Sequence, residues 1–76
     1  MNAKRKKQLS RAAGMLSDAR SIIDEVREDE EGAFDARSDA WKESWNGEKA
    51  AEDLFALQDI VTALEDAEER LEEISQ

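Results

Sequence analysis

The chain has 76 residues, of which 41% are charged and 39% hydrophobic, and 11 Lys+Arg against 20 Asp+Glu give a formal net charge of −9. It has no Cys, His, Pro or Tyr, which excludes a disulfide scaffold, a thiolate zinc site, a thiol nucleophile and any imidazole base or ligand. No apolar run approaches the length of a membrane span, and the basic start lacks the apolar stretch of a signal peptide, so an acidic, cytoplasmic helical protein with no membrane association is expected.

Glu, Ala, Lys, Arg and Leu dominate and no proline interrupts them, which predicts helix throughout. The first predicted helix covers about residues 4–34. Its apolar positions Leu9, Ala12, Leu16, Ala19, Ile23 and Val26 alternate steps of three and four, the a/d stripe of a heptad repeat. Glu30 interrupts the stripe and Gly32 follows, so a turn is expected at about residues 36–44. Ser44 is the predicted N-cap of a second helix over about 45–75, with Glu48 in its first turn but Gly47 at the capping-box position. Ser38 is an alternative cap, for a one-turn helix through Trp41 and Trp45. The second stripe is Leu57, Ile60, Leu64, Ala67, Leu71 and Ile74, and Ala50 extends it backwards.

The two stripes predict a single domain, residues 1–76, folded as an all-α antiparallel two-helix hairpin. With the turn centred near residues 39–41, facing positions would have numbers that sum to 80, as Leu9 with Leu71, Leu16 with Leu64 and Ile23 with Leu57 do. Val26 would then meet Leu54, Phe34 would meet Trp45, and Lys4–Lys7 would lie opposite Glu69, Glu72 and Glu73 as an electrostatic latch. One seam buries only about nine large aliphatic side chains, on the order of 13–27 kcal/mol gross, against about 1.5 kcal/mol for each of some 60 ordered residues. A lone hairpin is therefore marginal. Met15 and Ile22 flank the first stripe, and Leu54 and Val61 flank the second, which widens both toward a bundle face. A homodimer forming a four-helix bundle is expected.

Chemistry is thin. The acidic run Glu28-Asp29-Glu30-Glu31 does not fit a calcium loop, because counting back five residues from Gly32 or Gly47 gives Arg27 or Lys42. Without histidine there is no carboxylate di-iron signature and no activated serine, and a bundle filled by Leu, Ile and Ala offers no pocket to separate carboxyl pKa values. No metal, no cofactor and no catalytic activity are expected. Trp41 and Trp45 stand four apart, and with Phe34 and Phe55 they gather every aromatic near the tip; tryptophan is enriched among interface anchors. Trp45 is expected to plug the tip against Phe34, and Trp41 to be free for a partner.

The segment Glu28-Asp29-Glu30-Glu31-Gly32-Ala33-Phe34-Asp35, followed by Ser44, Gly47-Glu48-Lys49 and Leu- and Glu-rich heptads, resembles a group of small acidic helical proteins of phage and prophage genomes. The resemblance spans residues 9–75 and is specific over the central eight or so. The chain differs from the group in Trp41, Trp45 and Gly32. The resemblance implies a mobile-element origin and a hairpin fold, not an activity.

Two roles fit these features. The first is a phage-type inhibitor of a host nucleic-acid-handling or defence complex, anti-CRISPR-like in size and charge, acting in the host cytoplasm by acidic mimicry of DNA. Its carboxylates Asp24, Glu28, Glu31, Glu52, Asp59 and Asp66 would enter Lys/Arg clefts, steered by charge and weakened by salt. The second is an adaptor coiled coil that presents its tip, with Trp41, Trp45 and Phe55 inside a collar containing Asp35 and Asp39, to a partner protein. Both readings expect a partner with a basic surface. Direct nucleic-acid binding through Lys4–Lys7 is disfavoured, because residues 21–76 carry nineteen acidic groups against five basic ones.

Overall fold

The computed structural model describes all residues 1–76 as three helices, α1 (Ala3–Asp35), α2 (Asp39–Glu43) and α3 (Trp45–Ser75). The long helices α1 and α3 run antiparallel in a rod of 57 × 15 × 13 Å. Each helix starts on a side-chain cap that answers free backbone N–H groups. Asn2 Oδ1 accepts from Arg5 N at 2.9 Å, Ser38 Oγ from Trp41 N at 3.2 Å and Ser44 Oγ from Gly47 N at 3.3 Å. Gly32 does not end α1; the helix runs through it to Asp35, and no residue adopts positive φ. The region 36–44 holds the one-turn helix that Ser38 caps.

The seam between α1 and α3 is rotated and shifted from the expected one. Burial in α1 follows Ala13, Leu16, Arg20, Ile23, Arg27 and Phe34, and in α3 it follows Gly47, Leu54, Leu57, Val61, Leu64, Glu68 and Leu71. Val61, expected on a flank, is among the most buried residues at 3% exposure, with Ala13 at 6%. Val26, Ile60 and Ile74, expected in the seam, are exposed. Leu54 also moves from flank to seam.

The register differs too. Ser17 and Arg20 both meet Glu68, and Arg20 also lies 3.9 Å from Glu65. Facing numbers therefore sum to about 85 rather than 80, a displacement of five residues or roughly 7.5 Å along the axis. Two features account for it. α2 lies beside the start of α3 and takes up chain that a simple turn would have left to the register. In mid-seam, Arg20 Nε donates to Glu68 Oε2 at 2.7 Å. A slip of one heptad would put Val61 or Ser75 in the place of Glu68 and lose this short charged bond, which is how one polar pair selects a register.

The expected latch at the open end is absent. Lys4, Arg5 and Lys7 form no ion pair, and Lys6 Nζ instead donates to the main-chain oxygen of Gln76 at 2.7 Å. With the register displaced, Glu69, Glu72 and Glu73 lie nearer Arg11 to Leu16 in level than Lys4–Lys7.

Candidate interaction surfaces

The tip is built on one close approach. A Cβ on Gly47 would collide with the carbonyl oxygens of Trp41 and Lys42 and would stand 2.5 Å from Lys42 Cα. Only glycine lets the backbone of α2 lie this close to the first turn of α3. Ser44 joins the two elements: its hydroxyl accepts from Gly47 N and donates to Trp41 O at 2.5 Å. The sequence pattern marked Gly47 as a gap in a capping box, whereas its role is to admit the neighbouring backbone.

Trp41 and Trp45 exchange the roles expected of them. Trp41 is half-buried against Phe34, edge to face, with ring centroids 6.1 Å apart and planes at 68°. The Arg37 guanidinium stacks 4.4 Å from the Trp41 ring centre. Lys42 Nζ lies 5.5 Å from the Phe34 ring and donates to Asp35 O at 3.4 Å. Trp45 is 75% exposed and touches none of this. The reason is α2: its single turn swings Trp41 back over Phe34, while Trp45 becomes the first residue of α3 and points outward. Phe55 is also 75% exposed. Steps of three, four and three align Trp45, Glu48, Glu52 and Phe55 on the outer face of α3.

The expected carboxylates divide into two groups. Asp24, Glu28 and Glu31 do not form a free acidic row. They surround Arg27, which bonds Asp24 at 2.9 Å and Glu31 at 2.7 Å and lies 3.8 Å from Glu28. These contacts raise the guanidinium pKa, chiefly through the hydrogen bond to Asp24. Glu52, Asp59 and Asp66 do align on the exposed outer face of α3 at seven-residue spacing, with Asp66 3.4 Å from Arg70. Asp35 ends α1 and Asp39 opens α2, both exposed. No group of three or more carboxylates converges closely enough to share a metal ion.

Two flanks remain beside the seam. Residues one position before the seam positions lie about 100° round each helix. In an antiparallel pair these positions fall on the same side. The grooves at the tip show this placement: Ala33, Asn46 and Asp53 border one of them, while Glu31, Asp35, Ala51 and Phe55 border the other, about 330 Å³ in volume. Down the rod, the first flank carries Ala12, Met15, Ala19, Ile22 and Val26 from α1 and Ala56, Ile60, Ala63, Ala67, Arg70 and Ile74 from α3. Ile22 is 65% exposed and Met15 58%. The second flank carries Ser10, Gly14, Ser17, Ser21, Asp24 and Glu28 beside Gln58, Thr62, Glu65, Glu69 and Glu72. One side of the rod is aliphatic and the other is polar and acidic. Met15 and Ile22 stand on this face as their spacing predicts, whereas Ile60, Ala67 and Ile74, which heptad spacing assigns to the seam, form its α3 half.

No protein-family model matches the chain, and neither a curated protein nor a solved structure is detectably similar to it. No helix is long and apolar enough to cross a membrane.

Proposed function

We propose that this protein is an interaction module that works as a homodimeric four-helix bundle, with a second copy covering the aliphatic flank. The exposed outer face of α3 near the tip, Trp45 with Glu48, Glu52 and Phe55, then engages a partner protein that offers a basic, apolar-lined surface. The observation that carries this reading is how little the isolated hairpin buries. Only three residues are buried, two of them hydrophobic, and no large side chain is fully enclosed. A stable domain of this size needs a core, and helical bundles obtain one by joining apolar faces. Trp45 and Phe55 lie away from that flank and stay available, and exposed aromatics amid carboxylates suit a partner that supplies both apolar contact and Lys or Arg.

An inhibitor that imitates duplex DNA is the second reading, favoured by the outer row Glu52, Asp59 and Asp66. Its weakness is charge density. Nine net charges over 57 Å is one per roughly 6 Å, whereas duplex DNA carries one per about 1.7 Å. The two readings share a basic partner and differ in which residues hold it. Sedimentation equilibrium tests the dimer, and a two-chain mass at micromolar concentration is expected. Affinity capture from cell extract then compares Trp45→Ala with the triple reversal Glu52→Lys, Asp59→Lys, Asp66→Lys. Loss of a defined partner with Trp45→Ala alone supports the tip, and loss with the triple reversal alone supports mimicry. A monomer that captures the same partner equally in all forms overturns both.

A further inference from the structure

The aliphatic flank has polar ends, and their charges say how a second copy lies on it. Two hairpins joined face to face by a two-fold axis have only two arrangements. With the axis parallel to the rod, the tips point the same way and α1 lies over the partner's α3. With the axis across the rod, the tips point oppositely and α1 lies over the partner's α1, reversed.

Charge separates the two. The first half of α1, residues 3–20, carries six basic groups against Asp18, a balance of +5. The second half, residues 21–35, carries seven carboxylates against Arg27, a balance of −6. α3 is acidic throughout, with ten carboxylates against Lys49 and Arg70. Tips together would set the acidic second half of each α1 over the partner's α3, which is acidic as well, and would crowd every acidic tip residue at one end. Tips apart sets each basic half of α1 against the partner's acidic half. Unlike charges at contact steer association, and like charges disfavour the wrong pairing.

The flank positions of α1 point the same way, because they match their own reversal. In chain order they are Arg5, Gln8, Ala12, Met15, Ala19, Ile22, Val26 and Asp29. Reversed about residue 17, Arg5 meets Asp29, Gln8 meets Val26, Ala12 meets Ile22 and Met15 meets Ala19. Small residues oppose large ones in the middle, as close packing of two helices requires. At the ends, Arg5 and Asp29 have no ion-pair partner within the chain. Helices about 10 Å across, with α1 overlapping over about 40 Å and α3, whose residues 60–76 flank the same axis, over about 25 Å, give a footprint on the order of 650 Å² per protomer, near the size of a standard stable interface.

We infer that the protein dimerises with its tips at opposite ends, α1 packed on the partner's α1 in reverse about Met15–Ala19, so that one assembly presents two outward-facing binding tips. This rests on the dimer proposed above, and the closing experiment tells the two failures apart. The chain has no cysteine, so a single spin label at Ser38→Cys reports only the separation of the two tips. Its mass is measured in the same sample by sedimentation. Tips apart places the labels roughly 60 Å apart, from 21 residues of helical rise on either side of the axis. A dimer with labels closer than about 30 Å overturns the orientation and leaves the dimer standing, since that is the spacing across one bundle end. A monomer overturns both. A second measurement uses charge alone: Arg5→Asp and Asp29→Arg should each weaken the dimer about tenfold, two exposed pairs being lost, and together they should restore it. Two losses that add without restoration overturn the Arg5–Asp29 contact and the orientation with it.

Discussion

The two flanks of this rod are made by the same two helices at the same spacing, yet one is aliphatic and the other polar. On the first, ten of the eleven positions over residues 12–26 and 56–74 carry Ala, Met, Ile and Val, with Arg70 the exception. On the second, the equivalent positions carry Gly14 and otherwise Ser, Gln, Thr, Asp and Glu. An isolated hairpin needs only the seam between its helices, and both flanks would then be free to be polar. The asymmetry shows that these helices carry apolar faces wider than one seam uses. Heptad patterning reads the width of such a face well and its centre poorly, and here the centre decides which residues are core.

Charging the aliphatic flank tests this difference most directly. Ile22→Glu combined with Ile60→Glu should weaken self-association by at least 100-fold, about 3 kcal/mol, because a carboxylate would be buried without a partner. Sedimentation equilibrium measures it. Ser21→Glu with Thr62→Glu adds the same charge beside the same seam, on the opposite flank, and should change the association by less than about twofold. Equal effects from the two pairs would mean that the flanks do not differ in use.

The flanks exist as such only while the seam keeps its rotation and register, and Gly47 sets both at the tip. Gly47→Ala should cost about 2–3 kcal/mol in urea unfolding, since the clashing atoms are backbone and cannot swing aside. Gly32→Ala is the contrast. Its Cβ would meet nothing within 4 Å, so the substitution should stabilise by about 0.5–1 kcal/mol through helix propensity.

Residues 9–30 and 50–75 show how far sequence reading reaches. Their helices and the Ser44 cap are legible, because they follow from periodicity and from local hydrogen-bonding chemistry. The register is not, because it depends on how α2 packs and on the pairing of Arg20 with Glu68, and neither leaves an apolar signal. The choice of Val61 over Ile60 was equally hidden. Adjacent aliphatic residues fit the stripe about equally well, and only the packed partner chooses between them. Trp41 and Trp45 were exchanged for a related reason: a four-residue spacing predicts a shared face within one helix, but Ser44 divides these two between α2 and α3. Asp24, Glu28 and Glu31 read as free carboxylates in the sequence because nothing in their spacing shows that Arg27 folds back among all three.

A smaller effect probes the joint that Ser44 makes. Ser44→Ala removes both the acceptor for Gly47 N and the donor to Trp41 O, and should cost about 1 kcal/mol in thermal unfolding. Ser44→Asp keeps the cap but loses the donor, so it should recover part of that loss. Full recovery would assign the whole contribution to the cap of α3 and none to its link with α2.

The smallest expected effect concerns the Arg20–Glu68 pair, and pH isolates it. The Glu68 carboxyl is held below its usual pKa, first by the hydrogen bond from Arg20 and further by the charge on Arg20 and a hydrogen bond from Ser17, while desolvation opposes them. A carboxyl depressed by folding contributes stability that is fully present above its unfolded pKa and lost as pH falls through its folded value. Glu68→Gln should therefore lower the Tm at pH 7, and the difference from the parent protein should shrink below about pH 4 and disappear at more acidic pH. Acid also relieves repulsion among the other carboxylates, but both proteins share that gain, so it cancels in the difference. A second variant separates charge from register. Replacing both Arg20 and Glu68 by Leu should leave a protein at least as stable as Glu68→Gln, because no ion is left unpaired. That variant should also relax the register that the pair selects, blurring the boundary between the flanks and broadening the inter-helix distances seen by paired spin labels on α1 and α3.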